Sequence, residues 1–137
     1  MTERRRGRRK TPDQDAIDHI TIGEDKSFLE GRFINTHKGR GVLTQDYIEP
    51  KSFVVEYRGV LSLSDSADDK NSKYAFEFMW NGKHYCIDAS KEDGTLGRLV
   101  NDDHIHPNCK VKRIMVKGRP HLCLFHQGNL SRRGDNI

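Results

Sequence analysis

Two strand-like segments joined by Asn81-Gly82 constrain the fold of this chain more than any other feature of its sequence. Apolar and polar side chains alternate over residues 74–80, and a second short run rich in strand-forming residues covers residues 84–87. Alternation with a period of two is typical of a β-strand, and Asn-Gly between two strands favours a tight type I′ turn. The sequence therefore predicts a β-hairpin here, and a fold that contains a sheet.

Further short strands are predicted along the chain, because no long helical period occurs in it. A second hairpin is predicted around residues 117–120, which contain Gly and Pro, and the Ser/Asp/Lys-rich residues 62–72 are typical of a loop. The other predicted strands cover residues 33–34, 53–57, 60–61, 114–116 and 121–125. These elements predict an α+β fold class that is mostly β.

The N-terminal part of the chain predicts one short helix behind a basic tail. Thr11 suits the N-cap, Pro12 suits the first helical position, and Gln14 follows three residues after the cap. The β-branched residues 20–22 keep the helix short, and Gly23 ends it. We expect a basic disordered tail at residues 1–10, a short helix and a polar connection at residues 11–31, and one domain at residues 32–137.

Charge is distributed unevenly along the 137 residues, whose net charge is +4. Basic residues dominate both ends, whereas acidic residues outnumber basic ones over residues 61–103. A basic arm suits nucleic acid, and an acidic middle suits a cationic, Lys/Arg-rich peptide. The hydrophobic fraction of 34% favours a single modest core, and we expect neither a membrane helix nor a secretory signal.

Cysteine and histidine residues follow no disulfide or metal-binding pattern. The three cysteines are Cys86, Cys109 and Cys123, and this odd number favours a reducing, intracellular setting. His84 and His121 each stand two residues before a cysteine in a predicted strand, where alternate residues share a face. Structural zinc sites usually contain closely paired ligands such as Cys-x-x-Cys, and the sequence has none, so we expect no metal.

Three segments are candidates for a functional site, and each has a plain structural alternative. Glycines in residues 37–41 either let the backbone approach a ligand or form a tight turn. Residues 97–103 lead an apolar run into polar residues, where the Asn101 amide either reads a ligand or caps a turn. Aromatic side chains either line a slot for an ammonium group or pack in the core. We expect Tyr57, Tyr74 and Tyr85 to suit the slot, and Phe76, Phe78 and Trp80 to suit the core.

Taken together, these segments resemble the SET domain, the fold of protein-lysine methyltransferases, over residues 16–137. The motifs that match lie in order at residues 38–42, 53–59, 74–89, 96–101, 107–109 and 120–122. The resemblance is to the monomethylating type that acts on histone H4 in the nucleosome. It implies a SET-domain fold of short strands and hairpins, with S-adenosyl-L-methionine as the methyl donor and no metal.

The resemblance also implies roles for individual residues. The methyl donor would be held by Lys38, Gly39, Arg40, Gly41, Tyr74, Asn101 and Asp102. The catalytic residues would be Tyr57 and Tyr74, which would line the channel that admits the target lysine. Methyl transfer from a sulfonium to a neutral amine depends on alignment of donor and acceptor. The implied protein is a monomeric nuclear enzyme that acts on a histone tail or another Lys/Arg-rich peptide and contacts nucleosomal DNA through its basic tail.

Two departures from the family pattern lower the activity that we expect. Asp102 and Asp103 follow Asn101 where the family usually has His-Ser. The family continues after the position of Phe125 to a Tyr-Asp-Tyr-Gly motif in a C-terminal pseudoknot segment, and this sequence stops at Ile137 without that motif. We therefore expect donor binding with weak or no turnover. The alternatives are a catalytically silent module that binds chromatin or peptide, and a fragment that cannot close its core.

Overall fold

The structure, a computed structural model, describes residues 10–36, 39–63, 74–91, 93–100, 109–127 and 137. One α-helix, α1 (Pro12–Ile22), precedes the strands, and a 3-10 helix (Gly97–Leu99) precedes the last two of them. The strands are β1 (Leu29–Asn35), β2 (Gly39–Thr44), β3 (Phe53–Tyr57), β4 (Val60–Leu63), β5 (Ala75–Trp80), β6 (Lys83–Asp88), β7 (Cys109–Val116) and β8 (Arg119–His126). The described part is mostly β with one short N-terminal helix, so the predicted fold class is confirmed.

Helix α1 begins and ends where the sequence predicts. The Thr11 hydroxyl accepts a hydrogen bond from the Gln14 backbone N–H at 3.1 Å, which satisfies one of the free donors of the first turn. Gly23 has a φ of 74° and its N–H donates to the His19 carbonyl at 2.9 Å. Ala16 is fully buried, and Ile17 and Ile20 pack beside it against the sheet that contains β3. The helix therefore covers one face of that sheet.

Three antiparallel sheets make up the rest of the described fold. Their strand orders are β1-β2, β3-β8-β7 and β4-β6-β5. Both predicted hairpins are confirmed, and each turns in two residues with positive φ: Asn81 (53°) and Gly82 (72°), and Lys117 (53°) and Gly118 (77°). These angles are those of a type I′ turn, whose twist matches the right-handed twist of the strands.

Substitution of Gly82 tests the local cause of the first hairpin. A Cβ at this position would meet no atom of the described residues within 4 Å, so among them Gly82→Ala adds only the strain of an L side chain at positive φ. We expect it to lower the free energy of unfolding by about 1 kcal/mol in urea denaturation. Asn81→Gly is the control, because glycine adopts the same φ without strain and should cost less. Equal stability of wild type and Gly82→Ala would contradict this account.

The predicted polar connection and loops are shorter in the structure than in the sequence analysis. Strand β1 begins at Leu29, so residues 29–31 are not part of the connection predicted at residues 23–31. Strand β4 extends to Leu63, into the predicted loop of residues 62–72, and the rest of that loop lies outside the described residues. Both extensions come from pairing with partners distant in sequence, Leu29 with Thr44 and Leu63 with Tyr85. Local composition does not contain that information.

Two apolar clusters hold the elements together. The cluster under α1 contains Ala16, Phe53, Ile114, Cys123 and Phe125. The other joins β2, β3, β8 and the 3-10 helix, and it contains Leu29, Val42, Ile48, Val54, Val55, Leu99, Leu124 and Ile137. The backbone N–H of Ile137 donates to the Val42 carbonyl at 2.8 Å. Because Leu99 belongs to this second cluster, the 3-10 helix is anchored in the core. Within the described residues, no helix is long and apolar enough to cross a bilayer.

Candidate active site

The candidate site lies where the 3-10 helix meets the end of β3 and the beginning of β5. Gly97, the first residue of the 3-10 helix, packs directly on the backbone of β3. A Cβ on Gly97 would stand 2.2 Å from the Glu56 carbonyl oxygen and 2.9 Å from the Tyr57 Cα. Real Cβ atoms do not approach backbone so closely, so only glycine permits this contact. The contact sets the 3-10 helix directly beside Tyr57.

Arg98 connects the 3-10 helix to Tyr74 and to the end of β6. Its guanidinium carbon lies 4.1 Å from the centroid of the Tyr74 ring, a cation–π distance. Its Nε donates to the Ala89 carbonyl at 2.7 Å, and a terminal nitrogen donates to the Ser90 carbonyl at 3.2 Å. The Ala89 N–H in turn donates to the Tyr74 carbonyl at 2.8 Å. Tyr74 is therefore held through both its ring and its backbone.

Tyr57 lies in the same neighbourhood as a half-buried phenol. Its ring centroid is 5.7 Å from that of Phe76. Burial raises the pKa of Tyr57 to about 12, while the positive charge of Arg98 acts in the opposite direction and Asp88 adds to the rise. Tyr57 is therefore a neutral hydrogen-bonding group at physiological pH. Tyr74 and Arg98 both lie close enough to act on it electrostatically.

Three residues of the glycine segment lie in a strand, whereas residues 37 and 38 lie outside the described residues. Gly39, Arg40 and Gly41 are the first residues of β2, where Gly41 pairs with Arg32 of β1. Their pairing partners lie in β1, for which the sequence analysis predicted a strand at residues 33–34 only. Gly39 has a φ of 74°, and a Cβ there would meet no atom of the described residues within 4 Å, so none of those residues fills the space beside its backbone.

Strands β1 and β2 reach the site through the 3-10 helix. A Cβ on Gly31 would stand 3.1 Å from Leu96 Cδ2 and 3.3 Å from Leu99 Cδ1, so this part of β1 lies against that helix. The structure thus brings the β1–β2 hairpin, Tyr57 and Tyr74 to one short element. Lys38, Asn101 and Asp102 lie outside the described residues, so their predicted place in the site stays a prediction.

The sequence analysis predicted the environments of the aromatic residues only in part. Tyr85 stacks with Phe78 at 6.1 Å and packs at a tilt against Trp80 at 5.0 Å between ring centroids, so it belongs to a row of rings on one sheet. Phe76, predicted to be core, instead packs against Tyr57. Arg98 is a site residue that the sequence analysis named only within a motif. Its one signal was a charged residue inside the apolar run of residues 96–100.

The described residues fit the methyl donor that the resemblance implies. The open backbone at Gly39 permits close approach of a ligand. Tyr74 offers an aromatic ring fixed by Arg98, and Tyr57 adds a neutral hydroxyl. No disulfide joins Cys86, Cys109 and Cys123, and among the described residues no group of three or more His, Cys, Asp or Glu side chains could hold a metal ion.

Known proteins with the same pattern identify the family. The SET domain profile matches residues 39–132. Histone-lysine N-methyltransferase set-1 of Caenorhabditis elegans is 36% identical over 136 residues, which cover 88% of this chain and 56% of that protein. Histone-lysine N-methyltransferase Set8 of Drosophila melanogaster is 36% identical over 102 residues, covering 68% of this chain and 15% of that protein. The chain therefore spans about half or less of the length of these relatives.

Solved structures agree with this assignment. The crystal structure of CpSET8 from Cryptosporidium has a TM-score of 0.72 and 27% sequence identity, and the match covers 91% of this chain and 62% of that chain. The structure of ATXR5 in complex with histone H3.1 has a TM-score of 0.70 at 17% identity, which shows a common fold. The match covers 90% of this chain and 60% of that one. Strand β2, Tyr57, Tyr74 and the buried 3-10 helix all lie within the residues that match the SET domain, and the chain belongs to the family of SET-domain protein-lysine methyltransferases.

Proposed function

We propose that this chain holds S-adenosyl-L-methionine and a target lysine in one site and transfers a methyl group to the lysine Nζ. The observation that carries the proposal is the meeting of Tyr57, Tyr74 and the β1–β2 hairpin at the 3-10 helix, although they are far apart in sequence. The family relationship supports the reaction type. We further propose that the substrate is a histone tail or another Lys/Arg-rich peptide.

On the donor side, we assign binding to the backbone of Gly39–Gly41 and to Tyr74, together with Lys38, Arg40, Asn101 and Asp102 from the family motifs. The donor supplies an activated methyl group on a sulfonium when it is bound. The task of the chain is to hold the donor in line with the amine, since a misplacement of about 1 Å can cost on the order of a hundredfold in rate. Arg98 serves this task by fixing the Tyr74 ring and the backbone beside it.

On the lysine side, we assign orientation of the amine to Tyr57. A lysine must lose its proton before its lone pair can attack the methyl group, and a nearby anion would instead stabilise the ammonium form. The pKa of Tyr57, raised to about 12 by burial, keeps its hydroxyl neutral. A neutral phenol gives a hydrogen-bonding partner without adding negative charge at the acceptor. Phe76 beside it extends an aromatic wall.

We also propose partners and a location. The acidic residues of the middle of the chain suit a basic peptide, and basic residues 1–10 suit nucleosomal DNA. A chromatin substrate implies a nuclear location, and we propose in addition that the enzyme is a monomer. If the chain binds the donor but shows no turnover at all, it is instead a catalytically silent peptide-binding module.

A methyl-transfer assay with labelled donor on histone peptides and on nucleosomes tests the reaction. We expect labelled lysine with wild type and a loss of at least about tenfold with Tyr57→Phe, because the hydroxyl that orients the amine is removed. Tyr47→Phe is the matched control, since Tyr47 is exposed. Failure to label lysine on either substrate contradicts transfer, and equal activity of Tyr57→Phe contradicts the role of Tyr57.

Alkaline unfolding tests the burial of the Tyr57 phenol. Its pKa is raised from 10.0 to about 12 in the folded state, so the folded chain retains the proton that the unfolded chain loses. The part of the stability that is linked to the raised pKa of Tyr57 is fully present below about pH 10, and it is lost as the pH rises toward about 12. We expect Tyr57→Phe to lose less stability than wild type between these pH values in urea denaturation, and Tyr47→Phe to behave as wild type. Parallel losses in all three proteins would overturn the assignment.

A further inference from the structure

We propose that Asp25 is a positioning residue that links the N-terminal segment to the 3-10 helix of the active site. Asp25 lies between α1 and β1, far from the site in sequence. No family motif in the sequence analysis contains it. The inference deepens the proposed function and rests on it, because the consequence of the link is expressed through donor binding. The link itself is a contact within the folded chain and is measurable without any ligand.

The Asp25 carboxylate caps the entry to the 3-10 helix. Its Oδ2 accepts a hydrogen bond from the Leu96 backbone N–H at 2.9 Å, across 71 residues of sequence. Leu96 is the N-cap residue of the 3-10 helix and provides no side-chain cap of its own. In a capping box, a carboxylate satisfies the N-cap N–H from three residues away. Here the Asp25 carboxylate, which is distant in sequence, satisfies the N–H of the N-cap residue Leu96.

Asp25 belongs to a chain of largely buried ionisable side chains. Arg58 lies 3.6 Å from Asp25 and 3.2 Å from Glu56, and Glu56 lies 2.7 Å from Nδ1 of His121. Each of these four side chains exposes between 8% and 16% of its surface, so water screens their attraction only weakly. Arg58 also donates to the His19 carbonyl at 3.4 Å, near the end of α1. The network therefore joins α1, β3 and β8 to the carboxylate that caps the 3-10 helix.

The network lies next to Tyr57, the proposed catalytic group. Glu56 and Arg58 are the chain neighbours of Tyr57, and the Glu56 carbonyl is the atom on which Gly97 packs. The 3-10 helix is thus held both by its packing on β3 and by the hydrogen bond to Asp25. Loss of the Asp25 contact would free Leu96, and Arg98 two residues later would no longer hold Tyr74 and the Ala89 carbonyl as firmly.

A second ion pair between the N-terminal segment and the strands provides a matched control. Asp13 in α1 pairs with Lys112 of β7 at 2.7 Å, and both side chains are about half exposed. This pair ties the same helix to the domain and does not involve Leu96. A general weakening of the helix would therefore follow from either substitution. A positioning role is specific to Asp25.

Hydrogen exchange of the Leu96 amide, followed by NMR, tests the link. We expect Asp25→Ala to speed this exchange by about tenfold or more, since hydrogen bonds to a charged acceptor are among the stronger ones. Asp25→Asn keeps a neutral acceptor and should speed it less. In both variants the amides of β3 and β8 should exchange as in wild type, and Asp13→Asn should leave Leu96 unchanged. If Asp25→Ala does not fold, Asp25→Asn provides the test. Faster exchange confined to the Leu96 amide in that variant supports the link between Asp25 and Leu96.

Titration of S-adenosyl-L-methionine into the same proteins tests the consequence. We expect about a tenfold weaker dissociation constant for Asp25→Ala, partial recovery for Asp25→Asn, and wild-type affinity for Asp13→Asn. Unchanged Leu96 exchange in the Asp25 variants, or an equal change in Asp13→Asn, overturns the positioning role. Faster Leu96 exchange with unchanged donor affinity overturns the coupling to the site. A wild type that binds no donor refutes the proposed function, and the Leu96 exchange still decides on the link.

Discussion

Gly97→Ala is expected to destabilise the chain by at least about 2 kcal/mol and to abolish donor binding. The added methyl group would stand 2.2 Å from the Glu56 carbonyl oxygen and 2.9 Å from the Tyr57 Cα. Both obstacles are backbone atoms of a buried strand, which cannot rotate away as a side chain can. The 3-10 helix must therefore move away from β3, and Arg98 and Leu99 move with it. Urea denaturation and donor titration on the same preparation measure both effects.

Gly31→Ala is the graded control for this substitution. Its Cβ would stand 3.1 Å from Leu96 Cδ2 and 3.3 Å from Leu99 Cδ1, which are the ends of flexible side chains. A shift of a few tenths of an ångström relieves this contact, so we expect a loss of less than about 1.5 kcal/mol. The account would be wrong about the packing of the 3-10 helix if the two alanine variants were equally stable.

Arg98→Lys is expected to cause the second large loss, about 2–3 kcal/mol of stability with greatly weakened donor binding. Lysine keeps the charge but not the planar fork with which Arg98 reaches the Ala89 and Ser90 carbonyls while lying over the Tyr74 ring. Carbonyls at this buried site would lose their charged donors, and Tyr74 would lose its support. Urea denaturation measures the stability, and the near-ultraviolet circular dichroism of tyrosine reports on the ring environment.

Arg119→Lys is the control for Arg98→Lys. Arg119 is exposed beside the β7–β8 turn, so the same exchange of guanidinium for ammonium should change stability by less than about 0.5 kcal/mol. An Arg98→Lys protein with wild-type stability and donor affinity would show that the guanidinium geometry has no role at the site.

The features that were predicted correctly from sequence are those with local causes. The Asn81-Gly82 turn needs two residues with positive φ, and the residue types that tolerate it are written in the sequence. The limits of α1 likewise follow from Thr11, Pro12 and Gly23. The family motifs also name Tyr57 and Tyr74, which the structure brings to one short helix, and their roles at the site stay predictions.

The features that were missed depend on partners distant in sequence. Leu29 is in a strand because it pairs with Thr44, and Gly39 to Gly41 form a strand because β1 lies beside them. Arg98 is buried because Tyr74 and the end of β6 surround it, and a single charged residue in an apolar run does not identify those partners. Asp25 is connected to Leu96 by tertiary packing alone. Propensity and pattern contain no term for such contacts.

Calorimetric titration of S-adenosyl-L-methionine into the wild-type chain, Tyr74→Ala and Tyr47→Ala tests the central claim most directly. The claim is that the residues assembled around the 3-10 helix form a methyl-donor site. We predict saturable single-site binding by wild type and by Tyr47→Ala, whose substituted side chain is exposed. Binding by Tyr74→Ala should be weakened by at least about tenfold, since the ring under Arg98 is removed. Absence of binding by the wild-type chain, or undiminished binding by Tyr74→Ala, would contradict the account.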